Sequence, residues 1–191
     1  MNKRVAVYGG AFNPVHVGHA MVASWVHLTG KADEVWFVPS ASHPFGKQMA
    51  PFALRVGMCW ALVEDLGQWA RVSSVELELP HAGYTITLLR HLRERNPKTT
   101  FRFIMGSDNL ALRHKWYGFD DILADFDPIF VQRAGEDSRD ALASQSPVFP
   151  DISSTEIRRR LVAGEPVEHL VPKRVLSVLR AEPVDPYPRC G

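Results

Sequence analysis

Residues 9–19 read Gly9-Gly10-Ala11-Phe12-Asn13-Pro14-Val15-His16-Val17-Gly18-His19, and this stretch decides the fold. Arg4 to Tyr8, just before it, alternates as a buried strand does. The two glycines end that pattern and leave only backbone above the turn, so a bulky anion can come close. Pro14 pre-sets φ near the entry to the next element, and Met21, Val22, Trp25, Val26 and Leu28 predict a helix from about Gly18 to Thr29. His16 and His19 then share one face of its first turn, beside unpaired amides and the positive end of the macrodipole. By residue type alone the pair reads as surface polar residues, as donors to a bound anion, or as metal ligands. The spacing is not the i, i+4 of a helical zinc pair, and no third ligand is evident. The whole string of strand, Gly-Gly, proline, two histidines bracketing a glycine, and helix favours a phosphate.

Working outward, Glu34 to Pro39 is a short β-rich run closed by proline, so strand, helix and strand predict a parallel pair with a right-handed crossover. Ser40 to Ala50 follows as a loop at the carboxyl end of a strand, the edge where open α/β sheets bind ligands. Lys47 in it reads either as a phosphate contact or as a solvated lysine. Pro51 to Leu66 predicts an amphipathic helix, Val72 to Leu79 a strand, and Thr85 to about Arg95 a helix with Thr85 at or near its N-cap. Phe101 to Met105 predicts a buried strand running into Gly106-Ser107-Asp108, where Asp108 suits either a ribose or a helix cap. Trp116 and Tyr117 sit in a polar, loop-like setting, packed over the core or offered to a flat ligand. Asp120 to Ala124 predicts a short helix and Pro128 to Gln132 a strand ending at Arg133, which is near phosphate or simply solvated. Gly135 to Ser146 predicts a polar excursion, and Pro147-Val148-Phe149 a last strand.

The second informative stretch is Asp151-Ile152-Ser153-Ser154-Thr155-Glu156-Ile157-Arg158-Arg159-Arg160. Ser153 with Glu156 fits a capping box, and Ile157, Leu161 and Val162 give the helix a buried side. That makes a second positive helix end among small hydroxyl residues, with Arg158 one turn in. A capping box alone is usually structural, and Arg158 to Arg160 alone would be a solvated face. Gly164 ends this helix, Pro172 to Ala181 predicts a final one, and 182–191 predicts a loose tail.

Composition sets bounds on these readings. The chain has 191 residues, 46% hydrophobic and 23% charged, with a formal net charge of +1. These values fit one globular domain with a real core, and they give no case for a nucleic-acid or membrane surface driven by bulk charge. Cys59 lies in an apolar helical stretch and Cys190 at the extreme end, so a reducing cytoplasm is expected. No run approaches a membrane span, and Met1 to Arg4 leads straight into a strand rather than a signal peptide.

Gly9 to His19 resembles the GGxFxPxHxGH signature of the nucleotidyltransferase superfamily, and Ile152 to Arg158 resembles its ISSTxIR signature. Within it the chain is similar to the bacterial nicotinate-nucleotide adenylyltransferases over roughly Lys3 to Ala181. The resemblance implies a nucleotidyltransferase fold, an α/β, Rossmann-like doubly wound parallel sheet with helices on both faces. It implies one domain over 1–181, its C-terminal helical part starting near 154. It implies transfer of the adenylyl group of ATP to nicotinate mononucleotide in NAD biosynthesis, giving deamido-NAD and pyrophosphate without a covalent intermediate.

The residues carried over are His16, His19 and Arg158 as catalytic groups. At ATP they are Gly9, Gly10, Ala11, Phe12, Gly18, Lys47, Gly106, Asp108, Ser154 and Thr155. At the acceptor they are Tyr84, Thr85, Trp116 and Tyr117, with the tryptophan stacking on the pyridine ring. Mg²⁺ is expected with ATP, without a dedicated protein ligand set. Ala11 and Asn13 stand where Thr and Asp are usual, removing a hydroxyl and a charge from the phosphate floor. Gly83 replaces a serine, and His43-Pro44-Phe45-Gly46-Lys47 rearranges a Pro-His-Lys segment. The alternatives are nicotinamide mononucleotide or another small phosphate such as phosphopantetheine as acceptor, or a nucleotide-binding regulatory module without catalysis. A dehydrogenase is disfavoured because no GxGxxG follows the first strand. No nucleic-acid or membrane partner is expected, and homo-oligomerisation is left open.

Overall fold

Val5 and Val7 are buried on one face of the first strand, Ala6 and Tyr8 on the other, as a strand covered on both sides requires. The computed structural model describes residues 2–42, 49–79, 84–135 and 146–182, with the backbone alone at Asp108 and Ala111. Lys47, the turn at His81 to Gly83, the excursion over 136–145 and the tail beyond Glu182 lie outside the described residues.

The strands are β1 (Lys3–Gly10), β2 (Glu34–Pro39), β3 (Ala70–Val72), β4 (Thr99–Gly106), β5 (Ile129–Arg133) and β6 (Val148–Phe149). They form one sheet in the order β3-β2-β1-β4-β5-β6, with every neighbouring pair parallel. This is the doubly wound order of a Rossmann-like α/β sheet, as expected.

The helices are α1 (Val17–Leu28), α2 (Phe52–Leu66), α3 (Thr85–Arg95), the single turn α4 (Asp108–Ala111), α5 (Phe119–Phe126), α6 (Ser154–Ala163) and α7 (Lys173–Ala181). Tyr8 and Phe37 pack with Val22 of α1, Met58 of α2, Ile157 of α6 and Val175 of α7. Val5, Val7 and Phe103 pack with Leu89 of α3 and Ile122 of α5. The chain leaves β1 for one face through α1 and leaves β4 for the other through α5. The crevice between their carboxyl ends, at Gly10 and Gly106, is therefore the switch point where ligands bind such sheets.

One expectation is corrected. The strand expected over Val72 to Leu79 is only Ala70–Val72, followed by a 3₁₀ turn at Val75–Glu78. The turn delivers Glu76 inward, where its carboxylate accepts from the Ala41 amide at 2.8 Å, a bond that a continued strand would forfeit. Thr85 is the first residue of α3, next to its cap, as expected. Tyr84 holds the cap position without a side-chain hydrogen bond, and Thr85 is half-buried.

Candidate active site

The floor of the site is the turn after β1. A Cβ on Gly9 would stand 3.2 Å from Phe103 Cε2, so the strand end is kept bare by its own neighbour. Phe12 then takes a φ of 47° and drives its ring into the core, edge-on to Tyr8 and to the His19 ring. It lies beneath the site rather than in its lining. This turn sets His16 at the N-cap of α1 and His19 three residues on, ring centroids 3.7 Å apart. A Cβ on Gly18 would meet the His16 ring at 3.0 Å, so only glycine fits between them.

The backbone N–H of His16 donates to Nδ1 of His19 at 3.1 Å, so a neutral His19 carries its proton on Nε2. Burial pushes His16 down to about 3, and the charge of Arg133 adds to this. Burial holds His19 well below the ordinary imidazole range, with His16 and Arg133 adding to it. At neutral pH both rings are uncharged N–H donors in a nearly dry floor.

The opposite wall is the start of α6. Ser153 Oγ caps the helix by accepting from the Glu156 amide at 3.2 Å, the first half of the expected capping box. The Glu156 carboxylate turns instead to Arg159 and Arg160, whose charges and hydrogen bonds hold it near 2. Ser154 Oγ donates to the Pro14 carbonyl at 2.9 Å, and Arg158 Nη1 donates to the Asn13 carbonyl at 2.6 Å. Arg158 Nη2 also donates to Thr155 Oγ1 at 3.2 Å, leaving that hydroxyl's own proton free to point elsewhere. Two helix N-termini thus face one cleft of about 230 Å³ lined by Ala11, His16, His19, Arg133, Thr155 and Arg158, among others. Such an arrangement concentrates N–H donors and positive charge where a polyphosphate fits.

A residue that sequence reading missed holds the floor in place. Arg55 of α2 is 1% exposed, donating from Nε to the Ala50 carbonyl and from Nη1 to the Ala11 carbonyl, each at 2.9 Å. The Ala50 amide in turn donates to Asn13 Oδ1 at 3.2 Å. Asn13 is therefore a strut with its side chain buried, which an amide serves without a charge. An arginine inside an amphipathic helix gives no signal of such a role, though its place among Leu54, Met58 and Cys59 is a faint one.

The other expected residues gather in a second cluster on the opposite face of the sheet. Trp116 packs edge-on to Phe103 and Phe119, while the rings of Tyr84 and Tyr117 lie 4.9 Å apart and are 55% and 66% exposed. Gly106 ends β4 at the switch point, and α4 begins at Asp108. None of these lines the phosphate-sized cleft. Among the described residues, no group of three or more His, Cys, Asp or Glu is placed to hold a metal ion, and no helix is long and apolar enough to cross a membrane.

The cytidylyltransferase-like family model matches residues 7–160, from β1 through the arginines of α6. A protein of Myxococcus xanthus named probable nicotinate-nucleotide adenylyltransferase is 41% identical over 93% of this chain and 92% of its own. One of Bacillus pumilus with the same name is 33% identical over 91% and 93%. The solved Plasmodium falciparum nicotinic acid mononucleotide adenylyltransferase complexed with NaAD shares the fold, with a TM-score of 0.79 at 18% identity over 97% of this chain and 98% of that one.

Proposed function

The chain belongs to the cytidylyltransferase-like family, and on that premise we propose that it transfers the adenylyl group of ATP to nicotinate mononucleotide, releasing pyrophosphate and deamido-NAD. The observation that carries this reading is the meeting of the imidazole pair and Arg158 across one cleft between two helix N-termini.

The reaction needs alignment more than covalent chemistry. A phosphate oxygen of nicotinate mononucleotide attacks the α-phosphorus of ATP, the bond from that phosphorus to the bridging oxygen breaks, and pyrophosphate leaves with the electron pair. His16 and His19 donate neutral N–H groups to the α- and β-phosphates, His19 through Nε2. Such uncharged donors in a dry site keep their orientation as charge builds. Arg158 and the Thr155 hydroxyl act from the far wall. The Ser154 hydroxyl is spent on Pro14, so its backbone N–H is the group left for phosphate.

Gly9, Gly10, Ala11 and Gly18 let the triphosphate approach the backbone, Gly106 and Asp108 take the ribose, and Lys47 adds a cation from its loop. Trp116 stacks on the pyridine ring beside Tyr84, Thr85 and Tyr117. Mg²⁺ enters with ATP as part of the substrate, spreading charge on the phosphates. Residues 1–181 serve as one domain working in the cytoplasm. The relatives named for the nicotinate substrate support this acceptor, their likeness covering over nine-tenths of the chain.

Pyrophosphate release with ATP should be fastest with nicotinate mononucleotide, by at least about tenfold in kcat/KM over nicotinamide mononucleotide and phosphopantetheine. A preference for phosphopantetheine overturns the acceptor. ATP binding without turnover on any of the three indicates a regulatory module.

A further inference from the structure

Glu76 does not line the phosphate-sized cleft, yet the chain breaks an expected strand to bring it inward. It is 9% exposed, and its carboxylate accepts from the Ala41 amide at 2.8 Å. Burial pushes this carboxyl up, while the bond from Ala41 and the charge of Arg55 pull it down. A buried carboxylate is costly unless its oxygens are bonded, so the group it bonds is the clue to its role. The turn that carries it is itself fastened to β2, the Ser73 N–H donating to the Phe37 carbonyl at 2.9 Å.

The amide that Glu76 holds stands beside the glycine floor. Contact between β1 and β2 runs on past Pro39, with the Ser40 N–H donating to the Gly10 carbonyl at 2.9 Å. Ala41 is the next residue, so Glu76 grips the backbone one peptide beyond that bond. The returning chain is anchored too, since Arg55 donates to the carbonyls of Ala11 and Ala50, and Asn13 accepts from the Ala50 amide. Residues 10–13 are therefore held between two fixed limbs, one leaving β2 at Ala41 and one arriving at Ala50. A buried acid anchors the first limb and a buried base the second, near enough for the charge of the base to act on the acid. We propose that Glu76 is a positioning residue for ATP, holding the Ala41 amide so that the end of β2, through the bond from Ser40 to Gly10, keeps the glycine floor at the height the triphosphate needs. The inference rests on the adenylyl-transfer reading, in which alignment on that floor carries much of the rate.

The test is calorimetric binding of ATP to the full chain, unsubstituted and as Glu76→Ala, Glu76→Asp and Glu76→Gln, with the KM for ATP and for nicotinate mononucleotide measured alongside. Alanine removes the acceptor, aspartate keeps the charge but falls one methylene short, and glutamine keeps the reach and an oxygen that accepts from Ala41. Glu76→Ala and Glu76→Asp should weaken ATP by roughly tenfold, the loss expected for one hydrogen bond to a charged group, and leave the KM for the acceptor within about twofold. Glu76→Gln should hold ATP affinity within about threefold of the unsubstituted chain. The aspartate variant decides the matter if the alanine variant does not fold. The turn that bears Glu76 also leads toward Tyr84 and Thr85, so a merely structural role would raise the KM for the acceptor instead, and that result overturns the proposal. Unchanged ATP affinity in the alanine and aspartate variants overturns it as well, and so does a glutamine variant as weak as the alanine one. If the unsubstituted chain releases no pyrophosphate with any acceptor while the pattern of ATP binding holds, the transfer reading fails and the positioning of the floor stands.

Discussion

Acid should unfold this protein through its imidazole pair. In the unfolded chain His16 titrates near its ordinary value of 6.5, and in the folded chain near 3. Above about pH 6.5 neither state binds the proton, so stability is whole. As pH falls from 6.5 toward 3 only the unfolded chain takes it up, and stability drops by about 1.4 kcal/mol per pH unit before levelling off. Between pH 6.5 and 5.0 that is about 2 kcal/mol for His16. His19, depressed in the same direction chiefly by burial, adds to the loss as pH falls below 6.5. The His16 share alone is a sizeable part of the roughly 5–15 kcal/mol that holds a typical domain folded. Urea unfolding from pH 5 to 7.5 measures this in the unsubstituted chain and in His16→Gln and His19→Gln. His16→Gln should erase about 2 kcal/mol of the acid loss and His19→Gln a further part of it, whatever either does to stability at pH 7.5. A chain as stable at pH 5 as at pH 7, or variants that keep the full slope, would show that the rings are not buried as neutral groups.

Replacing Arg55 by Met strips donors from the carbonyls of Ala11 and Ala50 and should cost roughly 3 kcal/mol, read from the denaturant midpoint. A loss below about 0.5 kcal/mol would show that the strut is dispensable. Gly118 has a φ of 69°, and a Cβ there would lie 2.9 Å from Ile86 Cγ2. Gly118→Ala should therefore cost about 2 kcal/mol and, by displacing Tyr117, raise the KM for the acceptor more than that for ATP.

What could be read in the chain beforehand follows from where short-range physics dominates. The strand, glycine turn and helix of residues 3–28 were legible because burial, backbone freedom and capping act there within a few positions. Ser153 capping Glu156 was legible for the same reason. The edge strand β3 was not. Val75, Leu77 and Leu79 keep the alternation of a strand, yet β2 offers pairing only at Val35 to Phe37, and the chain turns away to place Glu76. Arg55 escaped because an arginine's role is set by what distant segments bring beside it. The same holds for Asn13, whose partner at Ala50 lies beyond a loop.

The bonds from Ser154 to Pro14 and from Arg158 to Asn13 join positions 140 and 145 apart in the chain. The histidines are therefore made long before the arginine that faces them. On the proposed reading, a chain that stops between the two has one wall of its cleft and lacks the other.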